Sequence, residues 1–394
     1  KTIREGYLAG VFGHVDEPAM KILSITYPWP SLQMLTLPEL FACEITLAGE
    51  TFTMSEGQVE FFSRTLDMRN GVLSRHIRWV SPQGRQTRIE FERFLSAAIP
   101  HLAMQRITIS PENWSGAATL RYRLDSSIPS FFRCGDRALP HLPQALMEFP
   151  RVDSGRRGAP NLTVSIRGTD TVVGMASEVS ATGRIALSAL SDTLEQVVEL
   201  HLNDGQSIPV VSSRDNVEAD QVPVLAAEIA RDASLAGYDA SLMDSTSVWE
   251  HRWASSDIAI DGPARDQAYI RFSAFSMLQM APFHTDNMSI PARAYAYNRY
   301  HGLYYWDSET FLLPNYLHTH PEVAEHLLRF RCRTLDGARR TARRLHSAGA
   351  CFPWMTDSTD GTEQAPWSIG DYVWHQNADI AYAIDQYVVA TGDR

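Results

Sequence analysis

Apolar and polar residues alternate through much of the first half of this chain. Val72–Val80 and Thr87–Phe94 read as strands, joined by Ser81-Pro82-Gln83-Gly84-Arg85-Gln86, a turn carrying both Pro and Gly. Met104–Ser110 and Thr119–Leu124 read as a second pair around Pro111–Gly116. Leu162, Val164 and Ile166, and again Val198, Leu200 and Leu202, occupy every other position, the period of a half-buried strand. Many short strands with frequent turns predict a large sandwich.

The period changes after about Asn216. Gln221–Ala236 is rich in Ala and Leu, and Ser247–Ala254 carries Trp249 and Trp253 four apart; both predict helix. From Pro263 onward the spacing is helical, with Ala268, Phe272, Phe275 and Leu278 on one face. Pro321 suits a first helical position, followed by a stripe of Val323, Leu327 and Phe330. Asp336 is expected to cap the next helix, whose Arg339, Arg340, Arg343 and Arg344 form a solvated face ending near Gly349. Ile380, Ala383, Ile384, Tyr387 and Val388 mark a last helix that Gly392 stops.

These patterns predict three parts: a β-rich region over residues 1–220, a helical linker over 221–262 and a helical domain over 263–394. About four helices are too few to close a large helical domain, so the sequence is expected to be part of a longer protein.

With 394 residues, 44% hydrophobic and 21% charged, the chain can bury a large core. Its net charge of -11 argues against nucleic acid or an anionic membrane as partner. Cys43, Cys134, Cys332 and Cys351 are scattered without a CxxC spacing, which predicts free thiols in a reducing compartment and no zinc site. No apolar run reaches membrane-span length and no signal-peptide core opens the sequence, so a cytoplasmic protein is expected.

Candidate chemistry concentrates in one segment. Ser289–Pro314 holds five tyrosines, a tryptophan, two arginines and two carboxylates. Aromatic faces stack on sugar rings while carboxylates and guanidiniums take the hydroxyls. Two readings of this composition stand side by side: a sugar subsite, or a buried aromatic cluster with structural ion pairs. Within Trp306-Asp307-Ser308-Glu309, Asp307 is the better hydrogen-bond acceptor for a ligand, with Trp306 as a wall; Glu309 is expected to cap or pair within the following helix. Phe352-Pro353-Trp354 and then Asp360-Gly361-Thr362-Glu363 could rim a pocket, or form a surface loop around a packed tryptophan. Asn377 is expected to cap the last helix, with Asp379 on its dipole and His375 free to face a ligand. His318, His320 and His326 lack a recognised metal spacing, and no GxGxxG, Walker or GxSxG motif occurs.

Read in order, several segments resemble glycoside hydrolase family 65. They are Leu66-Asp67-Met68-Arg69-Asn70-Gly71-Val72-Leu73, Ser256-Asp257-Ile258 with Gln267, Ile290-Pro291-Ala292-Arg293, Gly302, Trp306-Asp307-Ser308-Glu309, Thr334-Leu335-Asp336-Gly337-Ala338-Arg339, Gly349-Ala350 with Phe352-Pro353-Trp354, and Asn377-Ala378-Asp379-Ile380-Ala381-Tyr382-Ala383. The resemblance implies a β-super-sandwich followed by an (α/α)6 barrel, here incomplete. It implies an inverting phosphorylase of an α-glucosidic disaccharide that releases β-glucose 1-phosphate, with a hydrolase of the same fold as the alternative and a non-catalytic sugar-binding protein as the third reading. Arg293, Trp306, Asp307, Trp354 and Glu363 would bind substrate. No catalytic residue falls on this chain, because the family's general-acid glutamate, in a motif like GPDE, would lie beyond Arg394. The partners implied are the disaccharide and inorganic phosphate as co-substrate, with no metal or other cofactor, and a homodimer is expected from the family.

The sequence departs from the family's pattern in four places: Glu5 for Asn, Ala294 for Gly, Asn298 for Glu and Leu303 for His. The last three fall in the segment that the resemblance assigns to the acceptor sugar, so it names no particular disaccharide.

Overall fold

The computed structural model describes residues 6–14, 20–22, 25–27, 32–130, 133–134, 137–138, 145–155, 159–206, 208–218, 222–295, 299–364 and 373–393. Glu5 and Asn298 lie outside them.

Two antiparallel sheets dominate the first half. The larger runs, in spatial order, Met147–Asp153, Asn161–Ile166, Val172–Ser180, Ile208–Glu218, Ala103–Pro111, Gln86–Leu95, Val72–Val80 and Gln58–Asp67. The smaller runs Arg184–Ala189, Thr193–Leu202, Gly116–Asp125, Cys43–Leu47 and Glu50–Thr51. Alternation explains how they meet. Ile77 and Ile89 sit side by side in register, and with Trp79, Ile107 and Ile109 they face Ile45, Leu120 and Val198 of the other sheet in one buried core. Burying each large apolar side chain contributes about 1.5–3 kcal/mol. Trp79 also donates its indole N–H to the Glu56 carbonyl at 2.8 Å, so its polar edge is satisfied.

The strands around Pro111–Gly116 do not pair with each other, contrary to the sequence expectation. Ala103–Pro111 belongs to the larger sheet and Gly116–Asp125 to the smaller. Ile107 and Ile109 approach the shared core from one side, Leu120 and Tyr122 from the other. The turn therefore crosses between sheets, with Trp114 buried beneath it.

The helices begin with α1 (Val222–Ala236) and α2 (Tyr238–Ala254), the second much longer than the Trp249–Trp253 pattern predicts. In α1, Ala226, Ala227 and Ala230 pack against Ala176 of the larger sheet and Ala159 just before its Asn161–Ile166 strand. Such small side chains let helix and sheet approach closely. In α2, Trp249 stacks on Phe275 of α3 (Ala264–Met280) at 5.1 Å, and Trp253 donates to the Met68 carbonyl at 2.9 Å. The Asp67–Gly71 turn is thereby anchored to the helices.

Next come α4 (Leu313–Thr319), α5 (Pro321–Arg333), α6 (Leu335–Arg344) and α7 (His375–Thr391). Pro321 opens α5, and its apolar stripe is buried as expected. Thr334 rather than Asp336 occupies the cap of α6; Asp336 sits inside the first turn and pairs with Arg339 at 2.9 Å. A salt bridge one turn away competes with capping for the same carboxylate. Gly337 admits no side chain, because one would collide with the Asp360 carbonyl.

A cluster of Phe12, Leu32 and Met34 from the β-region with Leu303, Tyr304, Phe330 and Met355 joins the two halves. At its centre Gly302 holds φ at +68° against Met34, where a side chain would have no room. No helix among the described residues is long and apolar enough to cross a membrane.

Candidate active site

The site is built on a three-segment ribbon. Tyr304–Tyr305 pairs antiparallel with Met355–Thr356, and Pro291 bridges to Tyr304 on the other side. Since Tyr305 faces Met355, the next residues outward on that end, Trp306 and Trp354, become neighbours. Their rings lie 6.2 Å apart, and the His375 ring closes the group edge-on, 4.5 Å from Trp306 and 5.8 Å from Trp354. Two half-buried indoles at an open angle present the apolar faces a sugar ring needs.

Asp307 follows Trp306 and leads into a short π-helical turn at Ser308–Leu312. Its carboxylate is half-buried, and among the described residues no side chain hydrogen-bonds to it. Burial pushes its pKa up, offset in part by a hydrogen bond from its own backbone. A desolvated carboxylate with open acceptor sites suits ligand hydroxyls.

Glu309, only two residues on, has the opposite environment. It is 2% exposed, and both its oxygens accept from Arg331 of α5, at 2.7 Å from Nε and 2.8 Å from Nη2. Nη2 donates also to the Tyr305 carbonyl at 2.8 Å. The partner therefore lies 22 residues away rather than within the following helix. A bidentate pair of this kind fixes the Trp306–Asp307 corner on α5.

The tryptophan on the facing loop is held from two sides. Glu363 accepts the backbone N–H of Trp354 at 2.5 Å and of Met355 at 3.2 Å. Asn377 Oδ1 accepts the N–H of Phe352 at 2.7 Å, and Gln376 donates to the Phe352 carbonyl at 3.0 Å. Asn377 is thus not the helix cap; Trp374 holds that position, and Asn377 in the first turn clamps the loop instead. Asp379 accepts a hydrogen bond from His375 Nδ1 at 2.6 Å, which orients the imidazole toward Trp306. Further along the loop, Asp357 is fully buried; one oxygen takes the hydroxyl and N–H of Thr359, and burial raises its pKa.

Trp306, Asp307, Trp354 and Glu363 thus surround one corner, with Asp307 and Glu363 both acting electrostatically on Tyr305 between them. Arg293 does not join them. It is exposed, it follows Pro291 away from the Trp306 end of the ribbon, and no hydrogen bond, ion pair or ring contact among the described residues ties it to the cluster. Leu303 is fully buried in the junction between the two halves, so that departure from the family's pattern concerns packing rather than a sugar contact. Ala294 adopts φ +49°, a conformation that glycine takes without cost. No group of three or more potential metal ligands occurs among the described residues. His320 instead shares hydrogen bonds with Ser256 at 3.0 Å and the Arg252 carbonyl at 3.1 Å, and His326 with the Pro282 carbonyl at 2.8 Å.

Sequence reasoning missed Arg331, Gln376 and the clamping role of Asn377. An arginine on the stripe between Leu327, Leu328 and Phe330 was the available signal for Arg331.

The family model described as "Glycosyl hydrolase family 65, N-terminal domain" matches residues 2–252, and the one described as "Glycosyl hydrolase family 65 central catalytic domain" matches residues 271–394. The chain belongs to glycosyl hydrolase family 65. Its family 65 relatives include a kojibiose phosphorylase of Halothermothrix orenii, 29% identical over 92% of this chain and 49% of that protein. An alpha,alpha-trehalose phosphorylase of Thermoanaerobacter brockii is 27% identical over 91% of this chain and 47% of that protein. A 1,2-alpha-glucosylglycerol phosphorylase of Bacillus selenitireducens is 28% identical over 98% and 51%. Among solved structures, a putative kojibiose phosphorylase from human microbiome superposes with a TM-score of 0.83 at 22% identity, covering 97% of this chain and 50% of that one. The chain spans about half the length of the curated relatives it matches.

Proposed function

We propose that this chain carries the sugar-holding part of a glycoside phosphorylase, which cleaves an α-glucosidic disaccharide with inorganic phosphate and releases β-glucose 1-phosphate by inversion. The observation that carries the reading is a half-buried Asp307, to which no described side chain hydrogen-bonds, beside the Trp306–His375–Trp354 aromatic corner. The kojibiose, trehalose and glucosylglycerol phosphorylases among its relatives support the reaction class, while other relatives are named only as uncharacterized glycosyl hydrolases.

In this reading Asp307 accepts hydroxyls of the non-reducing glucose and Trp306 and Trp354 wall its ring. Glu363 acts by fixing the Trp354 loop. Phosphate is the co-substrate, and neither a metal nor an organic cofactor takes part. The general acid is a glutamate beyond Arg394. Residues 1–220 form the super-sandwich, 221–262 the link and 263–394 part of an (α/α)6 barrel. Exposed Tyr269 and Phe272 on α3 and Tyr382 and Val389 on α7 support further helices packing there.

The test is an assay of the whole protein on kojibiose, trehalose and maltose with and without phosphate. Phosphate-dependent formation of β-glucose 1-phosphate is expected. Cleavage at the same rate without phosphate would establish the hydrolase reading in its place, and no cleavage of any α-glucoside would leave only sugar binding.

A further inference from the structure

The sandwich contains a second polar site that the first does not explain. Over residues 75–79 and 89–93 the odd-numbered positions face the smaller sheet, and Ile77, Trp79, Ile89 and Phe91 are buried there. The adjoining inward positions on the same strands are Arg75 and Arg93. Register sets Arg64 of the neighbouring strand directly opposite Arg75, and Gln105 opposite Arg93. Arg75 and Arg93 therefore occupy positions that the strand pattern reserves for apolar side chains, and the exposed Arg64 of the edge strand stands beside them. Like charges facing each other across paired strands cost stability, and polar residues at core positions are tolerated where function needs them.

A cavity of about 550 Å³ opens at this end of the core, lined by Phe41, Phe52, Phe62 and Met54 as well as by the arginines. That volume suits a small ligand. Arg75 lies over the Phe91 ring at 3.9 Å and Arg93 near the Phe41 ring at 5.0 Å, which holds both guanidiniums in place without neutralising them. Glu39 is the one carboxylate among the described lining residues, leaving a surplus of two positive charges. Burial first, and then the neighbouring arginines, lower the pKa of Arg75, and burial and Arg64 that of Arg93, with Glu39 opposing the shift at both. Two buried polar atoms there have no partner among the described residues: the donor Arg75 Nε and the acceptor Gln105 Oε1. A phosphate monoester supplies about two negative charges and several acceptor oxygens. A hydroxyl supplies the donor that Gln105 lacks, and the phenylalanines supply walls for a ring.

We propose that this cavity binds a phosphorylated monosaccharide, with its phosphate held by Arg64, Arg75 and Arg93 and a ring hydroxyl donating to Gln105. The site uses none of the residues of the aromatic corner, so it stands whether or not the phosphorylase reading does.

Isothermal titration of the whole protein with glucose 6-phosphate, inorganic phosphate and glucose tests it. Glucose 6-phosphate is expected to bind at least tenfold more tightly than either other probe. The double substitution Arg75→Gln, Arg93→Gln should weaken it tenfold or more, while Asp307→Asn leaves it unchanged. Gln105→Leu keeps every charge, and should weaken glucose 6-phosphate while sparing inorganic phosphate. Because the arginines repel one another, the double variant should unfold at the same or a higher temperature without ligand. Equal affinity for glucose 6-phosphate and phosphate in the binding that the double variant removes, wild-type glucose 6-phosphate affinity in the double variant or in Gln105→Leu, or no binding of any probe overturns the proposal.

Discussion

Asp307 and Glu309 stand two residues apart in one turn and live in different worlds. Glu309 is sealed under the ribbon, with both oxygens taken by Arg331. Asp307 is half-open beside two indoles, and its carboxylate finds no side-chain partner among the described residues. A buried carboxylate that is fully paired belongs to the architecture. One that is desolvated and left unpaired costs stability, and it persists where a ligand completes it. The contrast separates the part of the segment that holds the fold from the part that faces substrate.

The largest expected effect lies on the structural side. Glu309→Ala leaves Arg331 as an uncompensated buried charge, which should cost about 3–5 kcal/mol of stability in chemical unfolding. A loss under 1 kcal/mol would mean that the pair is not the anchor of the corner. His301 sharpens the same division. It is buried with its pKa pushed down to about 4 by burial. In the unfolded chain it protonates near 6.5, so between those values the unfolded state binds more protons. His301 should therefore take up to about 3 kcal/mol from the stability as pH drops from roughly 6.5 to 4, and His301→Phe should make the slope shallower, with His101, also shifted to about 4, keeping its share. An unchanged slope in the variant would show that His301 is accessible to protons in the fold. Smaller again is Asn377→Ala. Losing the acceptor for the Phe352 N–H should cost about 1–2 kcal/mol and raise KM more than it lowers kcat, because the Trp354 loop loses a clamp. Equal kinetics would detach that clamp from the site.

Strand and helix periods were readable in the sequence because burial repeats at two or at 3.6 residues. Val72–Val80, α5 and the end of α7 at Gly392 follow directly. Which sheet a strand joins was not readable: the apolar rows of Met104–Ser110 and Thr119–Leu124 fit one core whether the strands are partners or face each other. The aromatic corner was half legible. Trp306, Asp307 and Trp354 stood out by residue type, and the family's ordered motifs tied them together. Arg331 and Asn377 did not, since their partners lie 22 and 25 residues away and the contact depends on how α5 and α7 pack. Arg75 and Arg93 could have been found by parity, because each interrupts a mostly apolar row.

The division between the two carboxylates is tested most directly by Asp307→Asn in the whole protein, measuring kcat/KM for phosphorolysis and thermal unfolding on the same sample. The raised pKa means that the ionised form is penalised by the fold at neutral pH, so the neutral amide relieves that penalty while removing a charge-assisted hydrogen bond to the sugar. The account predicts a loss in kcat/KM of about 100-fold or more with the melting temperature unchanged or raised. Wild-type kinetics, or a melting temperature that falls as it does in Glu309→Ala, would contradict it and return Asp307 to the architecture.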